Sequence, residues 1–326
     1  MKKNILLLLL SIVILLSSCS LTPYSRSEFM MDTQCVITVY SRDDLDKLDG
    51  VFSSLRDIER MVSRYDEGSD VFRINEAAGV RAVRVSEETF TLIARAKEIS
   101  LLTGGAFNPL LGKISDMWNF TGTEHHIPSQ DELESIVAAA GDMDNLVLDE
   151  EECSVYLASA CLSLDLGGIA KGYASEKAAA MLAGEGVEKA IINLGGNIYA
   201  VGSRSSAEGW RIGLQNPDSS EGGYFTVVNA SDEAVVTSGA YQRYFISDGV
   251  VYHHILDPST GYPAQTDLAS VSVINSDGTL ADALSTALFV MGSADAGAFC
   301  TEHGIKAVLL TVDGEISYLG IDGAEG

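Results

Sequence analysis

The chain has 326 residues, 46% of them hydrophobic, with 46 acidic side chains against 21 Lys and Arg and a formal charge of −25. That apolar fraction builds a core and excludes a disordered chain, and the length fits one large domain or two intimate ones. The acidity excludes nucleic acid, whose phosphates need a basic surface, and charge-driven docking on anionic lipid; five cysteines are too few for a disulfide scaffold.

Met1 to Leu16 reads MKKNILLLLLSIVILL. Two lysines precede an apolar run from Ile5 to Leu16, which is the length of a signal-peptide core and too short for an ordinary membrane span. Leu16-Ser17-Ser18-Cys19 resembles a bacterial lipobox, with Cys19 the lipidated residue after cleavage; a plain secretory signal that happens to contain a cysteine is the alternative. The expected organisation is a signal peptide over 1–18, a polar tether over 19–27 and a single domain over 28–326, anchored by lipid on the extracytoplasmic face of a bacterial membrane. Cys35 and Cys300 lie in apolar surroundings as buried thiols. Cys153 and Cys161 flank a strand-like stretch and are expected not to pair.

Thr33 to Tyr40 alternates as a strand, and Asp44 to Ser63 has helical period. Val71 to Asn75 is ambiguous. Ser86 caps a helix that runs towards Leu102 and stops at Gly104-Gly105. Ser129 caps another, SQDELESIVAAAG. Strands follow at Asn145 to Asp149 and Ser154 to Leu157, then a turn at Gly167-Gly168 and a helix through Ala183. Ala190 to Asn193 is a strand ending in Gly195-Gly196. Further strands are expected at Trp210 to Leu214, Tyr224 to Asn229, Ala234 to Thr237, Tyr241 to Ser247, Val250 to Ile255, Ala269 to Ile274, Ala307 to Val312 and Ile316 to Leu319. One helix interrupts them, Thr279 to Met291. Hairpins mixed with separate helices give an α+β class rather than regular βαβ.

The chain has no GxGxxG, Walker A, GxSxG, HExxH or SxxK motif, which sets aside Rossmann dehydrogenases, P-loop enzymes, α/β-hydrolases and zincins. In DLGGIAKGYA, Asp165 to Ala174, an acid and two glycines lead into a helix whose N-terminus favours phosphate, with Lys171 adding positive charge; a structural turn with an exposed lysine is the plain alternative. NLGGN, from Asn193, is a second strand end with paired glycines, and TSGAYQRYF, from Thr237, lines a planar ligand or packs its aromatics in a core. In YHHILDPSTG, alternation sends His253 and His254 to opposite faces, and a histidine before a polar turn suits a general base. In ADALSTALFVMG, Asp282 and Thr286 share a helix face. The segment is otherwise apolar or small, so a carboxylate there needs a partner. Mg²⁺ is one candidate and a nearby backbone N–H another.

Taken in order, Met31-Asp32-Thr33, SRYDEGSDVFRIN, GGAFNPLLGKISDMW, DLGGIAKGYA, NLGGN, TSGAYQRYF, HHILDPSTGYP and ADALSTALFVMG resemble the ApbE family of flavin transferases, from about Met31 to about Leu319. The resemblance implies an ApbE-like (T-fold-like) fold of mixed sheets and packed helices, with a nucleotide site between two lobes. It implies an enzyme that uses FAD as substrate and Mg²⁺ as cofactor, attaches FMN to a Thr or Ser of an acceptor flavoprotein, and releases AMP. The acceptor carries an Asp-x-x-Ser/Thr segment followed by a small residue and Ala or Thr.

Carried over residue by residue, the metal ligands are Asp282, Thr286 and the Gly168 carbonyl. By the same resemblance Lys171 and Asp165 would contact the flavin nucleotide, Met31 and Tyr65 would flank the isoalloxazine or its neighbouring groups, and Gly105, Ala106 and Phe107 would line the nucleotide site. Leu256 contributes backbone, and His254 is the base for the acceptor hydroxyl. The chain departs from the family's pattern at Asn108, where Asp is common, at Gln242, where Glu is common, and at Asp32, where Gly is usual. Two other readings stand beside the transferase: an FAD pyrophosphatase that gives FMN and AMP, and a lipoprotein that binds FAD without turnover.

Overall fold

A computed structural model describes residues 21–206, 208–217 and 223–321. The expected signal peptide and Cys19 lie outside the described residues. The frame is an eight-stranded antiparallel sheet. Its spatial order is β1 (Tyr24–Met30), β2 (Thr33–Val39), β6 (Ala190–Leu194), β7 (Asn197–Val201), β10 (Glu233–Gly239), β13 (Leu268–Asn275), β14 (Lys306–Thr311) and β15 (Ile316–Leu319). Alternation along these strands sends neighbouring side chains to two different cores. Ala234 and Val236 of β10, Val271 and Val273 of β13, and Ala307 and Leu309 of β14 meet Leu284, Leu288 and Phe289 of the Gly278–His303 helix. Val235, Ile274 and Val308, on the opposite face, meet Trp210, Leu214 and Val228 of the hairpin β8 (Trp210–Gln215) and β9 (Tyr224–Ala230). Both faces are therefore covered, and each fully buried Leu or Phe there contributes about 1.5–3 kcal/mol.

The first half of the sheet packs on two helices, Leu48–Val62 and Ala170–Gly184, through Cys35, Ile37, Val39, Phe52, Leu55 and Ala178. A second lobe is built on a small sheet, with β5 (Ser154–Leu157) between β3 (Val83–Arg84) and β4 (Leu146–Asp149). The helices Asp70–Glu76, Glu87–Leu102, Gly112–Trp118 and Gln130–Ala140 surround it. The predicted caps form. Ser86 Oγ accepts the Thr89 N–H at 3.1 Å, and Ser129 with Glu132 makes a capping box. The hairpin β11 (Tyr244–Ser247) and β12 (Val250–His253) lays Phe245 and Tyr252 on Trp118. All four described cysteines are free thiols, Cys153 and Cys161 included.

Several expectations need correction. The polar stretch assigned to a tether over 19–27 enters the sheet at Tyr24, as an edge strand with one covered face. Its polarity misleads because Arg26 is the residue that covers the core there: its guanidinium lies 5.3 Å over the Phe52 ring. The Thr279–Met291 helix runs on to His303 through a break at Gly292, φ +79°, where Asp267 accepts the Ser293 N–H and restarts the helix. Val71–Asn75 lies inside a helix, Asp70–Glu76. Strands expected from Tyr241 and through Ile255 are cut to Tyr244–Ser247 and Val250–His253. Helix Gly112–Trp118 and strand Asn197–Val201 were not anticipated.

Candidate active site

The site begins with two glycines. A Cβ on Gly172 would sit 2.2 Å from the Gly278 carbonyl oxygen and 2.6 Å from Asp282 Cβ. Only glycine lets the first turn of the Ala170–Gly184 helix touch the first turn of the Gly278–His303 helix. That contact delivers the Gly172 N–H to Asp282 Oδ2 at 2.7 Å. Asp282 is 5% exposed. Burial lifts its carboxyl above the ordinary carboxylate range, against the Lys171 charge and the Gly172 and Lys171 N–H groups, which favour the anion.

One turn along, Thr286 Oγ1 is 3.3 Å from Ser238 Oγ, which is 2.8 Å from Ser285 Oγ. Gly168 lies against the same corner: a Cβ there would be 3.3 Å from the Phe107 ring and 3.8 Å from Thr286 Oγ1. One carboxylate, hydroxyls and the Gly168 backbone thus converge. Among the described residues no cluster of three or more His, Cys, Asp or Glu exists that would favour a transition metal. A single buried carboxylate amid neutral oxygens is the donor set of a hard cation that takes its remaining ligands from phosphate and water.

The Asp165–Gly168 turn is pinned from outside. Asp165 Oδ1 accepts the Gly167 N–H at 2.8 Å, while Asp165 Oδ2 accepts Arg64 Nη1–H at 2.5 Å. Arg64 Nη2 donates to the Gly112 carbonyl at 2.9 Å and also pairs with Asp116. Burial alone would lower the Arg64 guanidinium, but the Asp165 and Asp116 charges more than offset it and raise it above its usual value. Lys171 Nζ extends back towards the Gly167 carbonyl, 3.5 Å away.

The two histidines separate as the strand period requires. His253 is buried edge-on to Phe289, with Nε2 3.1 Å from the Ala264 carbonyl. His254 turns the other way, its Nδ1 3.2 Å from the Arg243 carbonyl. A carbonyl only accepts, so Nδ1 carries the proton and Nε2 keeps its lone pair. Burial first, and then the Arg243 and Lys171 charges, lower His254 to about 4. It is a neutral imidazole at neutral pH.

Arg243 also lines an open cleft of about 670 Å³ with Asp32, Tyr65, Phe120, Thr121, Gln242 and Tyr244. Tyr65 is 76% exposed there. Met31 and Asp32 form the β1–β2 turn with φ of +52° and +57°, and the Met31 N–H donates to Glu59.

The ApbE family profile matches residues 31–324. The chain belongs to the ApbE family. A relative named FAD:protein FMN transferase from Treponema pallidum (strain Nichols) is 36% identical over 308 residues, covering 89% of this chain and 85% of its own. One of the same name from Klebsiella pneumoniae (strain 342) is 35% identical, covering 90% of each. Among solved structures, the ApbE protein of Thermotoga maritima superposes with a TM-score of 0.84 at 34% identity, covering 91% of this chain and 97% of its own. Flavin transferase ApbE from Vibrio cholerae superposes with 0.81 at 26% identity, over 91% and 97%. The fold is therefore the ApbE fold.

Against that family frame, Gly168, Lys171, Asp282, Thr286 and Phe107 meet in one corner, with Gly105 and Ala106 leading into Phe107 from a turn at φ +88°. The Lys171 charge of that corner also acts on His254. Leu256 is buried against the second lobe and pairs its backbone with Pro263. The Asp165 carboxylate is already engaged by Arg64. Asn108, one of the departures, works for the fold: Nδ2 donates to the Ala140 carbonyl at 2.8 Å and Oδ1 accepts the Leu110 N–H at 2.8 Å. Arg64, Gly172 and Ser238 escaped the sequence reading. The close glycine pair had a signal in AKGYA, whereas Arg64 and Ser238 gain their partners only through tertiary contact.

Proposed function

We propose that this protein transfers the FMN half of FAD to a Thr or Ser hydroxyl of an acceptor protein and releases AMP. The observation that carries this reading is the neutral His254, its Nε2 without a hydrogen-bond partner among the described residues and its ring under the Lys171 charge, together with the buried Asp282–Thr286 corner that the same lysine faces. The residues fit Mg²⁺: Asp282, Thr286 and the Gly168 carbonyl would hold it, and it would offset charge developing on the phosphates. The Ala170–Gly184 helix N-terminus and Lys171 draw the diphosphate in. The aromatic cleft at Tyr65 takes the flat ring of the flavin. His254 Nε2 accepts the hydroxyl proton as the acceptor oxygen attacks phosphorus, and the Arg243 carbonyl holds the imidazole in the tautomer that makes this possible.

The test is acceptor mass after incubation with FAD and Mg²⁺, using a soluble acceptor domain that bears an Asp-x-x-Thr segment, with AMP and free FMN followed in parallel. An FMN-sized gain on a hydroxyl residue that requires Mg²⁺ is the expected result. The open cleft favours a second reading, the pyrophosphatase, because it admits water; free FMN and AMP with unmodified acceptor would establish it. FAD bound without products would leave a binding lipoprotein. We also assign Cys19 as the lipid attachment that places the enzyme on the extracytoplasmic membrane face. Cys19→Ala should release the protein from membranes, and unchanged retention after signal cleavage would remove that assignment.

A further inference from the structure

Resting on the transfer reading above, we propose that Arg64 is a positioning residue that ties the two lobes together across the Asp165–Gly168 turn and thereby sets the affinity for FAD and its metal. Arg64 follows the Leu48–Val62 helix, which packs on the eight-stranded sheet. Two of its partners, Gly112 and Asp116, belong to the Gly112–Trp118 helix of the second lobe, and the third, Asp165, opens the turn between the lobes. The side chain is 9% exposed. One planar fork therefore fixes three groups in direction as well as distance.

Stability is a poor explanation for this arrangement. Burying the guanidinium cancels part of the Coulomb gain, and Asp116, 45% exposed, is a solvent-screened partner that adds little to stability. Arg64 Nε is also buried without a partner among the described residues, which adds a cost. What the fork supplies is geometry. With Oδ2 held by Arg64, Asp165 Oδ1 accepts the Gly167 N–H, and its own N–H donates to the Pro109 carbonyl at 2.7 Å. The turn is then held at its start on both sides, and Gly168 is presented against Phe107 and Thr286. Arg64 touches neither reacting atom; it acts through Asp165 and Gly168.

Arg64→Met keeps the bulk and removes the charge and donors. In the full-length protein it should raise the FAD KM, and the Mg²⁺ concentration for half-maximal rate, on the order of tenfold. The KM for the soluble acceptor domain should stay unchanged. Arg64→Lys, which reaches one partner at a time, should recover part of the loss, and Asp116→Asn should shift both quantities less. A lowered melting temperature with wild-type FAD and Mg²⁺ dependence in Arg64→Met makes the residue structural and overturns the proposal. If Arg64→Met does not fold, Arg64→Lys and Asp116→Asn decide on the same two readouts, and wild-type values in both overturn it. A wild-type protein that neither transfers nor hydrolyses FAD removes the transfer reading and this role with it. An active wild type with an indifferent Arg64→Met removes this role alone.

Discussion

The corner around Asp282 and the cleft around Tyr65 are neighbours built by opposite means. The corner is backbone and small residues: two glycines in contact, a carboxylate on helix N–H groups, and the Ser238 hydroxyl within 3.3 Å of those of Ser285 and Thr286. The cleft is exposed side chains on a turn, a loop and a hairpin. A rigid corner suits a small ion and a diphosphate, which demand fixed oxygen geometry. An open cleft suits the flat ring of a substrate that enters and leaves at every turnover. Substitutions should therefore hurt severely in the corner and mildly in the cleft.

The largest effect belongs to Asp282→Ala. It removes the one carboxylate of the corner and leaves the Gly172 N–H buried without an acceptor. On the proposed Mg²⁺ role, loss of metal assistance would cost several kcal/mol, so activity should fall roughly 1,000-fold or more and should no longer respond to Mg²⁺. Steady-state rates across a Mg²⁺ titration check this; retained Mg²⁺-dependent turnover would place the cation elsewhere and break the comparison.

His254→Ala comes next. FAD binding should survive while transfer drops about 100- to 10,000-fold, the range of a lost general base. Loss of FAD binding instead would make His254 a ligand contact. In the wild type, the folded imidazole titrates at about 4 against an ordinary 6.5, so the acid limb of kcat/KM that His254 controls should lie near pH 4. The sign for stability follows. Between pH 6.5 and 4 the unfolded chain takes up a proton that the folded chain refuses, so stability falls as pH drops through that window. Urea melts of wild type and His254→Ala from pH 7 to 4 should diverge there, and an acid limb near 6.5 would show a solvated ring.

Gly172→Ala alters the fit of the two helices without removing a chemical group. Its methyl meets the Gly278 backbone, which cannot swing aside as a side chain would. Overpacking of this kind costs about 1–3 kcal/mol, and separating the helices should weaken Mg²⁺ dependence as well as stability. Denaturant midpoints and a Mg²⁺ titration read the two separately; wild-type values in both would mean that the helices part at no cost.

The contrast also explains what the chain declares in advance. Periodicity and caps located most helices and strands, because Ser86 and Ser129 act on their own next turn and alternation is local. The corner residues were legible because Asp282 and Thr286 recur at helical spacing and Gly167-Gly168 precede a helix. Arg26 and Arg64 were not, since a charged side chain that covers Phe52 or bridges to Asp165 looks like any surface arginine until the partner elements arrive. The Gly112–Trp118 helix was missed for a related reason: its seven residues have no side-chain cap, and burial of Ile114 and Trp118 holds it.

The smallest effect is expected at the cleft turn, with Asp32→Gly. Asp32 sits at φ +57°, a conformation that costs most L-residues about 1–2 kcal/mol and Asp less. Glycine relieves that strain but loses about 0.5–1 kcal/mol of backbone entropy on folding, so the two nearly cancel and stability should move by less than about 0.5 kcal/mol. The charge is the clearer difference. Asp32 faces the cleft with Arg243, and its removal lessens repulsion of an anionic nucleotide. The FAD KM should fall about twofold at low ionic strength and return to the wild-type value at about 0.5 M salt, where exposed charges are screened. A tenfold change that persists in salt would mean the turn holds the nucleotide as tightly as the corner does, and the division between a rigid corner and a tolerant cleft would have to be redrawn around Met31 and Asp32.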